Sequence, residues 1–350
     1  MKKKLKKLVK RRSAKTEQPN DTRITNETVA EHRERILAGG RKFKYPHQYV
    51  KHKLVINAII ITVVVVIVAL ILGWWQLYKA QNTSDFMYRV TRVLPVSVGN
   101  VDGERVRYSD YLMRYRSQEL WLRDQGQLGL NGNDEQQQLD FYKRQVINGL
   151  EADVFAEKKA RELNISVSDE EVQAAIDTTR KTATGEISQS VYDASTRDTL
   201  GYSPEEYRHI LKQSLLRHKV AYALDKEAQA TKAKVESLLK QTRNPSLQNV
   251  SDQLRKEGVT VDLGASGLVP KNNQDGGLST TALTLKDGQI SPAVQSTTGD
   301  GYYFVQRLSA NDRQVSYQFI HVPLTEFEKQ FAALEEQGKI TEYIDIQKEK

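Results

Sequence analysis

The chain's most pronounced pattern is an unbroken apolar run. LVINAIIITVVVVIVALILGWW, Leu54–Trp75, holds 22 residues and no charge. A helix crossing a bilayer core needs about 20 apolar residues, whereas strands rarely exceed about ten, so the run predicts a transmembrane helix. Beyond it the pattern breaks into short periodic pieces. Val96, Val98 and Val101 read as a strand, Asp102-Gly103 as a turn that needs positive φ at both residues, and Val106 and Tyr108 as the returning strand. Ser109 is placed to cap a helix carrying Tyr111, Leu112, Tyr115 and Leu120. After the polar stretch RDQGQLGLNGNDEQQQ, a face of Val146, Ile147, Leu150, Val154, Phe155 and Leu163 predicts another helix, ended by Asn164. Ser168 with Glu171 forms a capping box for a helix bearing Val172 and Ile176. Ser203 and Pro204 open one lined by Ile210, Leu211, Leu215 and Val220.

The last third changes period. DKEAQATKAKVESLLKQTRNPSLQNVSDQLRKEG predicts a helix broken at Asn244-Pro245 and a second from Ser246. Strand-like pieces come next in VTVDLG, ASGLVPK, STTALTLKDGQISPAVQ and GYYFVQRLS, and Val315, Tyr317 and Phe319 alternate in one more. LTEFEKQFAALEEQGKITEYI then reads as an amphipathic helix stopped by Gly338. Helices followed by strands predict a small α+β domain.

Charge adds a direction. Residues 1–53 carry 17 Lys/Arg against 5 Asp/Glu, which leaves 35 against 39 for residues 54–350 of a chain with 52 and 44 in total. A basic flank stays in the cytoplasm, so the remainder is expected outside the plasma membrane, anchored by a single pass. A cleavable signal fits poorly, because the run exceeds the usual apolar length and QLYKAQNTS offers no small-residue cleavage site. MKKKLKKLVKRRSAK beside such a span is a topology determinant that leans on anionic headgroups, and no nucleic acid partner is expected. Residues 13–50 are polar, with Gly39-Gly40 and Pro46, and read as disordered or partly helical. The absence of cysteine excludes disulfides, thiolate metal sites, a Cys nucleophile and a lipidated cysteine. His32, His47 and His52 have no ligand-like spacing, and His209 and His218 stand nine apart, too far for a metal pair on one helix turn. No cofactor or metal is expected, and no hydrolase or nucleotide-binding motif is present.

Three stretches in order, NVDGERVRYSDY, ELNISVSDEEVQAAI and SPEEYRHILKQSLLRHKV, resemble the N-terminal chaperone module of the SurA, PpiD and PrsA foldases of the bacterial envelope. The resemblance implies apolar grooves for unfolded clients and no catalytic residues in the helical part. LKDGQIS, Val294 and GYYFV resemble the closing hairpin of a parvulin-type prolyl isomerase, and VDLG its upstream strand. Where that resemblance calls for a strand histidine stands Tyr303, the loop before Asp262 is too short for the family's Asp or Cys, and no histidine strand precedes Ala228. Catalysis is therefore expected to be weakened or lost. The stretch QFIHV resembles the missing strand, so β-pairing there would return His321 to the site. The other reading is a meander strand with an incidental histidine.

The resulting expectation is a single-pass membrane protein with a mostly α-helical chaperone module and a small α+β parvulin-like domain. Its parts are a tail 1–53, a span 54–75, a linker 76–94, the helical module 95–225, a degenerate parvulin-like domain 226–310 and a C-terminal strand and helix 311–350. The candidate catalytic residues are Tyr303, His321 and Asp262, and the candidate substrate contacts are Tyr302, Phe304 and Phe319. Partners expected are unfolded or newly exported polypeptides, the bilayer through 54–75 and the translocation machinery. The alternatives are an active prolyl isomerase and a non-catalytic subunit of an envelope assembly.

Overall fold

A computed structural model describes residues 25–44, 52–126, 132–182, 185–241 and 245–346. The basic lead before residue 25, Pro46, His47, residues 127–131 of the polar stretch, and Asn244 lie outside the described residues. The chain divides into two units, Met1–Gly73 and Trp74–Lys350. The first holds helix α1, Asn26–Lys44, inside the stretch expected as disordered or partly helical, and most of helix α2, Lys53–Tyr78. Among the described residues α2 is the one helix long and apolar enough to cross a membrane.

The segment 76–94, expected as a linker, is ordered into the second unit. Ser84 Oγ accepts from Met87 N and opens helix α3, Asp85–Val93, whose Tyr88 and Thr91 are buried. Strands β1 (Ser97–Val101) and β2 (Glu104–Arg107) meet at Asp102 and Gly103, with φ of 48° and 92°. Both turn residues take the left-handed conformation that such a hairpin needs. Helix α4, Tyr108–Asp124, starts one residue before the expected cap at Ser109, with Arg107 in the cap position. The cause is a backbone bond from Tyr108 N to Val96 O, which joins hairpin to helix without an intervening turn.

Helix α5, Gly132–Leu163, ends where Asn164 turns to φ 54°. Both halves of the capping box Ser168/Glu171 form at the start of α6, Asp169–Arg180. A small hairpin, β3 (Lys181–Thr182) and β4 (Gly185–Glu186), leads to α7, Gln189–Leu200, which the periodicity does not predict. The second capping box, Ser203/Glu206, opens α8, Pro204–Leu224, with Pro204 at its first turn. Val98, Val106, Tyr108, Leu112, Ile147, Leu150, Phe155 and Val220 form the core, whereas Leu120 and Leu163 turn outward.

Helices α9 (Lys226–Gln241) and α10 (Leu247–Lys256, capped by Ser246) cover one face of an antiparallel sheet. Its strands are β5 (Asp262–Pro270), β6 (Val294–Gln295), β7 (Gly301–Ala310) and β8 (Gln314–Pro323), in the order β5-β8-β7-β6. VTVDLG and ASGLVPK, expected as separate pieces, contribute to the single strand β5, which is bulged between Ala265 and Leu268. STTALTL, expected as a strand, is helix α11, Leu278–Thr284, because Asp275 accepts the Ser279 N–H and closes its first turn. Leu278 and Ala282 of α11 cover the other sheet face beside Tyr303 and Tyr317.

The division at residue 310/311 cuts across this sheet, because β8 is hydrogen-bonded between β5 and β7. After β8 the chain returns to the helical module. Helix α12, Glu326–Glu336, packs Phe327 and Phe331 in tilted contact with Phe155 at 5.1 and 5.8 Å between ring centroids. Strand β9, Ile340–Glu342, then pairs with β1 and makes a three-stranded sheet β2-β1-β9. Asp225 holds this junction: its Oδ1 accepts from Ala228 N at 2.8 Å, and its Oδ2 accepts from Thr325 N and Glu326 N at 2.7 and 3.1 Å. One carboxylate thus caps the starts of α9 and α12 together. Burial pushes its carboxyl up, but these backbone donors more than offset that and hold it below the usual carboxylate range.

Candidate functional site

Side chains directly opposite one another in a sheet share a face. The register pairs Asp262 of β5 with His321 of β8, and His321 with Tyr303 of β7, so the three expected site residues form one row. The Tyr303 and His321 rings stack with centroids 4.4 Å apart and planes 14° apart. His321 Nδ1 lies 3.3 Å from Asp262 Oδ2, and Nε2 lies 3.3 Å from the Asp300 carbonyl oxygen. Gly301 makes room for that ring, since a Cβ there would stand 2.6 Å from His321 Nε2 and 2.3 Å from Val322 O.

Asp300, which no sequence motif singles out, decides what the row can do. The Tyr303 hydroxyl donates to Asp300 Oδ2 at 2.7 Å, and Thr298 donates to Oδ1 at 2.9 Å. Burial raises the Asp300 carboxyl, yet the hydrogen bonds from Tyr303, Ser296 and Thr298 outweigh it and keep the group below the usual range. Burial, and then the Asp300 hydrogen bond, push the Tyr303 phenol up. The phenol therefore keeps its proton and gives it to Asp300 as a hydrogen bond, and Tyr303 is only 8% exposed. A donor already spent inside the fold is not available to a twisted amide of a bound peptide. A matching pair, Tyr317 hydroxyl to Asp275 at 2.6 Å, stands further along the same face. The only sequence signal for the first pair is a carboxylate three residues before a strand tyrosine, which is too common to read, and the second joins residues 42 apart with no local signal at all.

The expected substrate contacts separate. Phe319 lies on the Tyr303 side, half-buried, its ring over Gly264, where a Cβ would come within 2.5 Å. Tyr302 and Phe304 face the other way. Tyr302 packs on Tyr222 at 5.0 Å, and Phe304 is fully buried with Leu247, Leu254 and Ile320. Beside Phe304 is a cleft of about 720 Å³ lined also by Leu239, Pro245, Ile290, Pro292 and Lys240. A second cleft, about 260 Å³, runs between α3, α4 and the start of α8, with Tyr88, Met113, Leu120, Tyr202, Arg116 and Arg123 in its walls. Among the described residues no group of three or more His, Asp or Glu side chains could hold a metal ion.

The loop carrying Asp300 is braced by the helical module. The Tyr222 hydroxyl donates to Gly301 O at 2.6 Å, and the His218 ring lies on Gly299, where a Cβ would come within 2.2 Å. Burial pushes His218 down from its ordinary value, followed by the effect of neighbouring Arg217. His218 is thus a packing residue.

The helical module follows a helix of membrane-spanning length, is closed by the chain's own C-terminal strand β9 and carries a cleft between α3, α4 and α8. Residues 48–221 match the family model of the SurA-like N-terminal domain. A chain from a structural study of PEB4 and Cj1289, two SurA-like chaperones of Campylobacter jejuni, is similar at 14% identity. The match covers 70% of this chain and 91% of that one with a TM-score of 0.23, too loose a superposition to carry an argument. No curated protein matches the chain.

Proposed function

We propose that this protein is a membrane-tethered extracytoplasmic folding chaperone for exported polypeptides, with a parvulin-like sheet that does not catalyse prolyl isomerisation. The observation that carries the chaperone reading is the SurA-like N-terminal domain at residues 48–221. The tether is supported by the 26-residue apolar helix α2, and the outward orientation by the basic excess before it. Clients would be unfolded chains near the translocation exit, held by weak apolar contacts. A pull-down with the full chain in nanodiscs is expected to return many exported proteins. A single stoichiometric partner would instead favour a subunit of an envelope assembly.

The loss of catalysis is supported by the Tyr303–Asp300 hydrogen bond and the burial of Tyr303. The one observation favouring an active isomerase is the row of Asp262, His321 and Tyr303, with β8 where the parvulin resemblance wants a histidine strand. A protease-coupled proline-peptide assay separates the two. The wild-type chain is expected to match buffer, and a rate well above buffer that falls in His321→Ala would establish the isomerase.

A further inference from the structure

The turn after α2 holds the next helix at one level. Ala80 N donates to Trp75 O and Asn82 N to Gln76 O, both at 2.9 Å, while Gln81 takes the left-handed φ of 46°. The Asn82 side chain then bonds both ways, donating to Gln76 Oε1 at 2.9 Å and accepting from Ser84 N at 2.9 Å. Ser84 is the cap of α3. The first turn of α3 is therefore pinned beside the last turn of α2, next to Trp74 and Trp75, which are 54% and 50% exposed. Exposed tryptophans at the end of an apolar helix are the usual residues of a membrane–water interface.

Helix α3 has two faces. Tyr88 and Thr91 point into the module, and the Tyr88 hydroxyl bonds Glu206 of α8. On the other side Phe86 is 67% exposed, Val93 82% and Leu94 47%, with exposed Arg89 among them. This apolar stripe belongs to neither cleft described above, so it suits a soft apolar layer better than it suits a peptide side chain seeking a pocket.

We propose that α3 is a membrane-surface helix: Phe86, Val93 and Leu94 enter the interfacial layer of an anionic phospholipid bilayer beside the exit of α2, and Arg89 and Lys79 meet its headgroups. This rests on the reading of α2 as a membrane span. The consequence is a module attached at two points, which fixes its orientation to the membrane instead of leaving it on a swivel.

The chain has no cysteine, so single ones can be placed at will. Phe86→Cys, Val93→Cys, Val64→Cys and Leu308→Cys all fall on exposed positions and leave the core intact. Each full-length variant is labelled with an environment-sensitive fluorophore and reconstituted in phosphatidylethanolamine–phosphatidylglycerol vesicles. Brominated lipids then report depth. Labels at 86 and 93 are expected to shift to the blue and be quenched by bromines near the headgroup. The label at 64 should be quenched by bromines at the bilayer centre, and the one at 308 should stay water-like. Labels at 86 and 93 that behave like 308 while 64 is quenched overturn the inference and leave the span intact. A water-like 64 overturns the span and the inference with it. A response at 86 and 93 that appears only with added denatured client, or only at high protein-to-lipid ratio, assigns the stripe to client or to a second copy and also overturns the proposal.

Discussion

Removing the Asp225 carboxylate should loosen the junction between the two halves of the second unit, Trp74–Lys350. In Asp225→Ala three backbone N–H groups, those of Ala228, Thr325 and Glu326, lose their acceptor, and Asp225 itself is 2% exposed, so water does not readily replace it. Losing one helix cap costs about 0.5–2 kcal/mol. Two helix starts are affected here, which gives about 2–3 kcal/mol. Asp225→Asn provides the internal control. An amide has one accepting oxygen, so it can serve Ala228 or the Thr325–Glu326 pair but not both, and it should recover about half of the loss. Urea denaturation gives the total, and amide exchange in α12 tells where it falls, since Phe327 and Phe331 rest on Phe155 and must come away if the cap fails. An alanine variant within about 0.5 kcal/mol of wild type, or an asparagine variant as stable as wild type, would refute the two-helix capping argument.

Three further outcomes rest on the same kinds of contact. Tyr303→Phe removes a donor and leaves Asp300 with Thr298, so it should cost about 1–2 kcal/mol in denaturant melts and leave the proline-peptide rate at the buffer value. Gly301→Ala should destabilise by more than about 2 kcal/mol, because the new methyl meets the Val322 carbonyl, which is backbone and cannot swing away; a melt like wild type would contradict the packing. Asp225, Asp275 and Asp300 are all held below their ordinary values, so the folded state binds their protons less readily than the unfolded chain does. Their contribution is complete above the unfolded carboxylate range, near pH 4, and is lost as pH falls through the lower folded values, so denaturant midpoints should be flat near neutrality and drop on acidification below about pH 4.

What the sequence made legible was local. Asp102-Gly103, Ser168/Glu171 and the Ser203-Pro204 helix start are decided by residues within one turn of each other, and each forms as its residue types require. The start of α4 differs by one residue because a backbone bond between Tyr108 and Val96 outweighs the cap propensity of Ser109. STTALTL reads as strand from its threonines, yet Asp275, outside that window, bonds Ser279 N and makes it helix. The least legible feature was the path of the C-terminus. β8 enters a sheet between strands that precede it, and β9 reaches back to β1 across more than two hundred residues, pairings that no local period encodes. The row of Asp262, His321 and Tyr303 depends on that path. Histidine and tyrosine could be named from resemblance, whereas the hydrogen bond that Asp300 accepts from the phenol emerged only from the folded loop.

The central claim, chaperone activity without catalysis, is tested most directly by light scattering. A chemically denatured exported protein is diluted into buffer with the full chain in nanodiscs, alongside the proline-peptide assay on the same sample. The account predicts that scattering falls progressively as the chain is raised to a several-fold excess, with the same suppression in Tyr303→Phe and a peptide rate equal to buffer. Scattering unchanged at several-fold excess, measured against empty nanodiscs, would contradict it.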